Sequence, residues 1–292
     1  MDCNRSRCID LHIHSQASDG SLSAADIIEK AETLSLGAIS ITDHDTLDGS
    51  KEAVSLIHRS PVRFLTGVEI SANPPESFNI PGSLHVLGYH IDLDNHELNQ
   101  ALQRLQASRT QRIPRMIDRL NAIGMSISMA DVMVHVGTSI PGRPHVAAAM
   151  IDRGYAVSID DAFERFLGRG KPAYVDKFRI EAHTIIQTIH NAGGVPVLAH
   201  PYLIEKPPEI IDRLIHTLKD MGLMGLEVLY PGHSTEAVAS LTRTARKNDL
   251  LITGGTDFHG DINPNIKMGS GGGDLFVPYE LYEKLVAATD SG

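Results

Sequence analysis

Residues 8–20 read "CIDLHIHSQASDG". An apolar run ends on two histidines one residue apart, and an aspartate follows within a Ser- and Gly-containing turn. In a strand, side chains alternate with period two, so His12 and His14 share a face. The turn can bring the Asp19 carboxylate back toward them. Taken alone, the stretch also reads as a polar strand end entering a loop, and the rest of the chain decides between the two.

Six further short apolar runs read as buried strands: "AISITDH" (38–44), "VRFLTGVEI" (62–70), "HVLGYHI" (85–91), "GVPVLAH" (194–200), "GLEVLY" (225–230) and "LLITGGTDFH" (250–259). Helical patterns lie between many of them. "SAADIIEKAETLSLG" offers Ser23 as a cap, a stripe of Ile27, Ile28, Ala31 and Leu34, and Gly37 at the exit. "EAHTIIQTIHNAGG", "PPEIIDRLIHTLKDMG" and "STEAVASLTRTARKNDL" read the same way. Strand and helix alternate, which predicts an α/β fold with a mostly parallel sheet.

Residues 97–171 break the rhythm. A long helical stretch, kinked or divided near Pro114, precedes short helical patterns without convincing strands. This predicts a helical insertion, or cap, at 97–171 within a discontinuous catalytic domain of 1–96 and 172–292. The Gly-rich "MGSGGGDLF" (268–276) does not follow a strand in a dinucleotide- or phosphate-loop arrangement and reads as a surface loop.

Polar residues gather at the predicted strand ends. His12 and His14 end the first run, Asp43 and His44 the second, Glu69 the third, His200 the fifth, and Asp257 and His259 the last. His85 instead starts its run. The ends of parallel strands face a common crevice. Buried imidazoles and carboxylates there are costly unless paired or metal-bound. Five such strands are too many for chance. Mixed imidazole and carboxylate donors suit Zn, Mn or Fe, whereas Mg prefers oxygen donors. Glu69 is placed to bridge two ions, with a shared hydroxide as nucleophile. Asp43 is not assigned to the same metal as His44, because adjacent strand positions face opposite ways. His58, His90, His96, His183, His190 and His216 lack this arrangement and read as surface or packing histidines.

Composition narrows the partners. The chain has 292 residues, of which 42% are apolar, 21% charged and 5% aromatic. Against 36 acids stand 26 Lys plus Arg, a formal charge of −10, which argues against a broad duplex-binding surface. A small anionic substrate remains compatible, since bound cations invert the local sign. Cys3 and Cys8 form no CxxC pair or disulfide scaffold. No apolar run of signal-peptide or membrane-spanning form is present, so a soluble cytoplasmic protein is expected, of unspecified oligomeric state.

The motifs "DLHIHSQASDG", "ITDHDT", "GVEIS", "HVLGYHID", "VPVLAHP", "GLEVLYPGHS" and "TGGTDFHG" together resemble the PHP family, the polymerase and histidinol phosphatase domains. They span nearly the whole chain outside 97–171. With "GRPHVA" and "GKPAYV", their order is similar to that of the TrpH-like branch, which includes nucleoside 3′,5′-bisphosphate phosphatases and enzymes degrading short RNA from its 5′ end. The resemblance implies a distorted seven-stranded (β/α) barrel and a trinuclear site, with manganese the expected occupant. It implies His12, His14, Glu69 and Asp257 on the first ion. Asp19, His44 and His259 fall on the second, and His85 and His200 on the third, which shares Glu69.

Such a centre would hydrolyse a phosphate ester, with basic groups outside it holding the rest of the anion. Arg143 and His145 in "IPGRPH", with Lys171 in "GRGKPAY", are the candidates for substrate phosphate. His233 in "YPGHS" is a candidate proton donor to the leaving alkoxide, or a loop-packing residue. The favoured reaction is removal of the 3′-phosphate from a nucleoside 3′,5′-bisphosphate, giving the 5′-monophosphate. A 5′→3′ exoribonuclease acting on short RNA is the main alternative. An amidohydrolase, a polymerase-associated module and a non-catalytic metal-binding module are weaker ones.

Overall fold

The computed structural model describes residues 8–136 and 141–289, so Cys3 lies outside the described residues. Two compact units divide the chain, 1–103 with 179–292, and 104–178.

The first unit is built on one curled sheet. Its strands are β1 (Asp10–Ile13), β2 (Ala38–Ile41), β3 (Arg63–Asn73), β4 (Leu84–Tyr89), β5 (Ile180–Glu181), β6 (Val195–Leu198), β7 (Gly225–Leu229) and β8 (Leu251–Gly254). They pair in the order β1-β2-β3-β4-β6-β7-β8, with the two-residue β5 added to β3. All pairings are parallel except those of β4, which runs antiparallel to both β3 and β6. The start of β4 therefore lies at the same edge as the ends of the other long strands. That reversal explains why His85 opens its strand while the other polar residues follow theirs. The chain beyond β8 returns to β1: the His14 N–H donates to the Phe258 carbonyl (2.9 Å) and the Phe258 N–H to the His12 carbonyl (3.3 Å). The result is the distorted barrel of the sequence reading.

Around the sheet lie α1 (Ala24–Thr33), α2 (Asp48–Leu56), the start of α3 (His96–Ala122), and, after the second unit, α7 (Ala182–Asn191), α8 (Pro208–Asp220), α9 (Thr235–Lys247) and α10 (Glu280–Thr289). Helix α1 starts on a reciprocal cap: the Ser23 hydroxyl accepts the Asp26 N–H (3.2 Å) and the Asp26 carboxylate accepts the Ser23 N–H (3.1 Å). Ile27, Ile28 and Ala31 are buried, but Leu34 sits at the C-cap and is 46% exposed. Ser35, not Gly37, takes the left-handed conformation at the exit (φ 55°). One face of the sheet packs Leu11, Leu65, Leu87, Val195 and Val197 with Tyr279 and Leu285 from the C-terminal segment. The Gly-rich segment is not wholly a surface loop. Met268 is buried, and the Gly269 N–H donates to the buried Asp10 carboxylate (2.8 Å).

The second unit contains the rest of α3, α4 (Met129–Met133), α5 (Arg143–Asp152), α6 (Ile159–Ala162) and a π-helical turn, Phe163–Leu167. No strand occurs among its described residues. Its core joins Met116, Leu120, Val132, Val146, Met150 and Leu167. Helix α3 is not divided at Pro114. Proline removes the donor to the Thr110 carbonyl, but the flanking Ile113, Met116 and Ile117 are buried in this core and hold the helix through the defect. Among the described residues, no helix is long and apolar enough to cross a membrane.

Candidate metal centre

Glu69 is the pivot of the barrel's polar edge. It is fully buried, and β3 continues past it to Asn73 because the hairpin with β4 extends the pairing. Its Oε2 lies 2.9 Å from His44 Nδ1, 3.3 Å from His14 Nε2 and 3.4 Å from His12 Nε2. Its Oε1 lies 2.8 Å from His85 Nδ1 and 3.1 Å from His200 Nε2. One carboxylate thus touches five imidazoles, three on one oxygen and two on the other.

The remaining donors surround this group. Asp257 Oδ1 is 3.1 Å from His14 Nε2 and 3.4 Å from His12 Nε2. Asp19 reaches His259 Nε2 (3.4 Å), His14 Nδ1 (3.6 Å) and His44 Nε2 (3.7 Å). Three sets of donor atoms converge closely enough to hold an ion: His12, His14, Glu69 and Asp257; His14, Asp19, His44 and His259; and His44, Glu69 and His85. His200 joins through Glu69 Oε1. Asp257, His259 and His44 come from loops beyond their strands, and His200 opens a short 3₁₀ turn at φ 28°. Positive φ at Asp257 and His200 marks backbone that is held against its preference at the site.

Several of these atoms have no hydrogen-bond partner although they are buried: His12 Nε2, both ring nitrogens of His14, Asp19 Oδ1, His44 Nδ1 and Glu69 Oε2. Buried polar atoms are normally satisfied. Six such atoms gathered on facing imidazoles and carboxylates are donors aimed at cations, and this donor set fits divalent Mn, Zn or Fe.

The proton balance agrees. Burial alone would depress His14, but the facing carboxylates of Asp257 and Glu69 push it up to about 10. His12 is also raised, since Glu227, Asp257 and Glu69 overcome its burial. Burial opposes the charge of Glu69, yet the facing His44, His85 and His12 hold it well below the usual carboxylate range. Asp257 is lowered by His12 and His14 against its own burial, and Asp19, also against burial, by the facing His259, His44 and His14. Glu69, Asp257 and Asp19 stay ionised while His12 and His14 are held protonated where cations would otherwise sit, and burial lowers His85 instead.

Two supporting side chains, Glu227 and Tyr230, were not singled out by sequence reasoning, and a third, Asp43, was noted there but given no metal. Glu227 is fully buried in β7; the His12 Nδ1–H donates to its Oε1 (2.8 Å) and the His200 N–H to its Oε2 (2.8 Å). It turns His12 Nε2 toward Glu69. The Tyr230 hydroxyl donates to Asp257 Oδ2 (3.2 Å), leaving Oδ1 facing the histidines. Asp43 Oδ1 accepts the Ser15 N–H (2.7 Å) and Ser18 hydroxyl (2.6 Å), and its Oδ2 the Ser15 hydroxyl (2.7 Å). Asp43 therefore locks the turn that carries Asp19. The only sequence signal for Glu227 is an acid inside the apolar "GLEVLY" run.

The remaining candidates are His233, whose ring lies 5.2 Å from that of Tyr230, and three residues of the second unit. His233 Nδ1–H donates to the Val228 carbonyl (2.9 Å), and burial lowers its pKa. Its Nε2 is buried and has no hydrogen-bond partner. In the second unit, Arg143 lies over the rings of Phe163 (5.3 Å) and Tyr174 (5.8 Å), His145 Nδ1 accepts the Gly142 N–H (2.9 Å), and Lys171 is exposed. His190 binds the Gly222 carbonyl (2.7 Å) and His216 binds Asn248 (3.1 Å), both away from the cluster.

Two cavities border the cluster. One of 300 Å³ is lined by Leu203, Tyr230, Asp257, His259, Asn263 and Ile266 among others. The other, of 140 Å³, includes Ile80, Pro81, Ser83, His85, His200 and Glu205.

A model of the PHP domain matches residues 10–113. The chain is 31% identical over 250 residues to a 5′-3′ exoribonuclease of Haemophilus influenzae, covering 86% of this chain and 89% of that protein. It is 30% identical over 252 residues to a 3′,5′-nucleoside bisphosphate phosphatase of Chromobacterium violaceum, covering 86% and 87% respectively. Among solved structures, a Bifidobacterium adolescentis protein assigned as a metal-dependent phosphoesterase superposes with a TM-score of 0.74 at 29% identity, over 97% of this chain and 96% of that one.

Proposed function

The chain belongs to the PHP-domain family of metal-dependent phosphoesterases, and from that premise we propose that it removes the 3′-phosphate from nucleoside 3′,5′-bisphosphates. The observation that carries this reading is Glu69, whose two oxygens face separate groups of imidazoles, as a carboxylate shared between ions requires. In the proposed assignment His12, His14, Glu69 and Asp257 hold one divalent ion and Asp19, His44 and His259 a second. Glu69, His85 and His200 hold a third. Manganese is the proposed occupant, with Zn or Fe compatible with the same donors. Bound there, such ions supply Lewis acidity toward phosphate oxygens and lower the pKa of coordinated water.

The chain's own residues do the positioning. Glu227 fixes the tautomer of His12, and Tyr230 restricts Asp257 to one free oxygen. The cavity beside Tyr230 and His259 is large enough for part of a nucleoside. Arg143, with His145 and Lys171, is proposed to bind the substrate's second phosphate, Arg143 through a guanidinium that lies near the rings of Phe163 and Tyr174. Placement in the TrpH-like branch is part of the same proposal.

Identity to the Haemophilus exoribonuclease favours a second reading, release of 5′-mononucleotides from short RNA. Both reactions break the bond between phosphorus and the 3′ oxygen. They differ in whether that phosphorus carries a further nucleoside. A side-by-side assay with manganese separates them, using adenosine 3′,5′-bisphosphate, adenosine 3′-phosphate and a short 5′-phosphorylated RNA. Phosphate and 5′-AMP from the bisphosphate, faster than from the 3′-phosphate, is the expected result, and Arg143→Ala should erode that preference. Rapid mononucleotide release from RNA with little bisphosphate turnover would give the second reading precedence.

A further inference from the structure

If the phosphorus carries a further nucleoside, the rest of the strand must leave the metal centre along some surface. The cavity at His85 and His200 is walled on one side by Ile80, Pro81 and Ser83, from the β3–β4 connection. The earlier part of this connection, Ser77 and Phe78, lines a separate and larger groove of 580 Å³ against α8 and α9. Phe78 precedes His85 by seven residues, so the groove and the cluster are at most about 25 Å apart at these positions.

The groove has an unusual lining for a chain of net charge −10. It presents Arg213, Lys247 and His216 with the ring of Phe78. The Arg213 guanidinium lies 5.9 Å from the Phe78 ring centroid, which holds the cation beside an aromatic face. The His216 Nδ1–H donates to Asn248 Oδ1 (3.1 Å), so its Nε2 is the nitrogen available to a ligand. The one acid in the lining, Asp212, accepts the Thr244 hydroxyl (2.7 Å). Lys247 alone could be explained by its place in the last turn of α9, where cations complement the helix dipole. Arg213 and His216 have no such explanation, since both lie inside α8.

We propose that this groove is a second nucleic-acid site, binding a backbone phosphate of single-stranded RNA through Arg213, Lys247 and His216 while a base or sugar packs on Phe78. Guanidinium and ammonium groups flanking an aromatic face are the chemistry of single-strand recognition. The site would let the enzyme hold an oligonucleotide whose scissile phosphate lies at the metals. It would contribute nothing to a mononucleotide. This inference rests on the phosphoesterase reading and extends it to oligonucleotide substrates.

The test pairs two readouts on the metal-loaded full chain. The double variant Arg213→Glu, Lys247→Glu, and the milder Arg213→Gln, Lys247→Gln, are compared with the parent. The first readout is anisotropy of a labelled short 5′-phosphorylated oligoribonucleotide titrated at several salt concentrations. The second is turnover of adenosine 3′,5′-bisphosphate. Both variants should weaken oligonucleotide binding, by about tenfold for the charge reversal, and flatten the salt slope by about 0.7 for each phosphate no longer neutralised. Bisphosphate kcat and KM should not change. Unaltered oligonucleotide affinity and salt slope in both folded variants would falsify the groove. An equal loss on the bisphosphate would also overturn it, because the groove would then not be specific to longer substrates. Should the parent hydrolyse no phosphoester, the phosphoesterase reading fails, and the anisotropy still decides the groove.

Discussion

Glu227 shows how one side chain outside the ligand set can govern it. Its two oxygens accept hydrogen bonds from different parts of the site, the His12 ring and the His200 backbone. Gln in its place keeps the size but turns one oxygen into a donor facing His12 Nδ1–H. The ring must then flip or lose its bond, and Nε2 loses its orientation. Glu227→Gln is therefore expected to lower metal affinity by about 10- to 100-fold, read by titration with Mn²⁺ and by elemental analysis after dialysis. An unchanged affinity would mean that packing alone orients His12. Replacing His14 or Asp257 should do more, removing most activity together with bound metal, because each lies within 3.1 Å of the other at the heart of one donor set. A variant of either that stayed fully active and metal-free would rule out the proposed mechanism.

At the scale of elements, the site depends on the closing of the barrel after β8. Gly255 follows β8 and runs so close to β1 that a Cβ there would lie 2.4 Å from the His12 Cβ and backbone nitrogen. Gly255→Ala must push the two segments apart, carrying Asp257 and His259 away from His12 and His14. Overpacking of this kind costs about 1–3 kcal/mol, so a melting temperature several degrees lower and a reduced metal content are expected. Gly272→Ala, which meets nothing within 4 Å, should change neither. Equal behaviour of the two variants would dismiss the closure argument. The element scale also marks where the sequence is readable. Strands β1, β2, β6 and β7 announce themselves as short apolar runs, because buried parallel strands must be apolar on both faces. The reversal of β4 is not visible, since an apolar run looks the same in either direction. Only the odd position of His85 records it. The run at 250–259 suggests a strand that is too long, because Thr256, Asp257 and His259 leave the ladder to bond with Asp10 and the cluster. Helix α2 and the C-terminal α10 carry weaker signals, as does Glu227, whose role depends on a partner 215 residues away.

For the whole molecule, His12 and His14 hold protons in the cluster that cations must displace. His14 has an ordinary value of 6.5 and is raised to about 10 in the ion-free fold, after burial is overcome by Asp257 and Glu69. A raised value stabilises the fold fully below pH 6.5, and that contribution is lost as pH rises through about 10. The ion-free protein should therefore lose stability between these limits, while the metal-loaded protein, whose carboxylates face cations instead, should not. Binding must also release protons, since an imidazole ligand is neutral. Calorimetric titration of the chelator-stripped protein with Mn²⁺ at pH 7, in buffers of different ionisation enthalpy, should show net proton release. The release should fall toward zero as the pH approaches 10, and apparent affinity should rise over the same range. Loading should raise the melting temperature in proportion to the logarithm of free metal above its dissociation constant, because the ions bind the folded state. If heat at pH 7 were independent of the buffer, the imidazoles would already be neutral. The barrel's polar edge would then be held by water and hydrogen bonds rather than by protons awaiting exchange for metal.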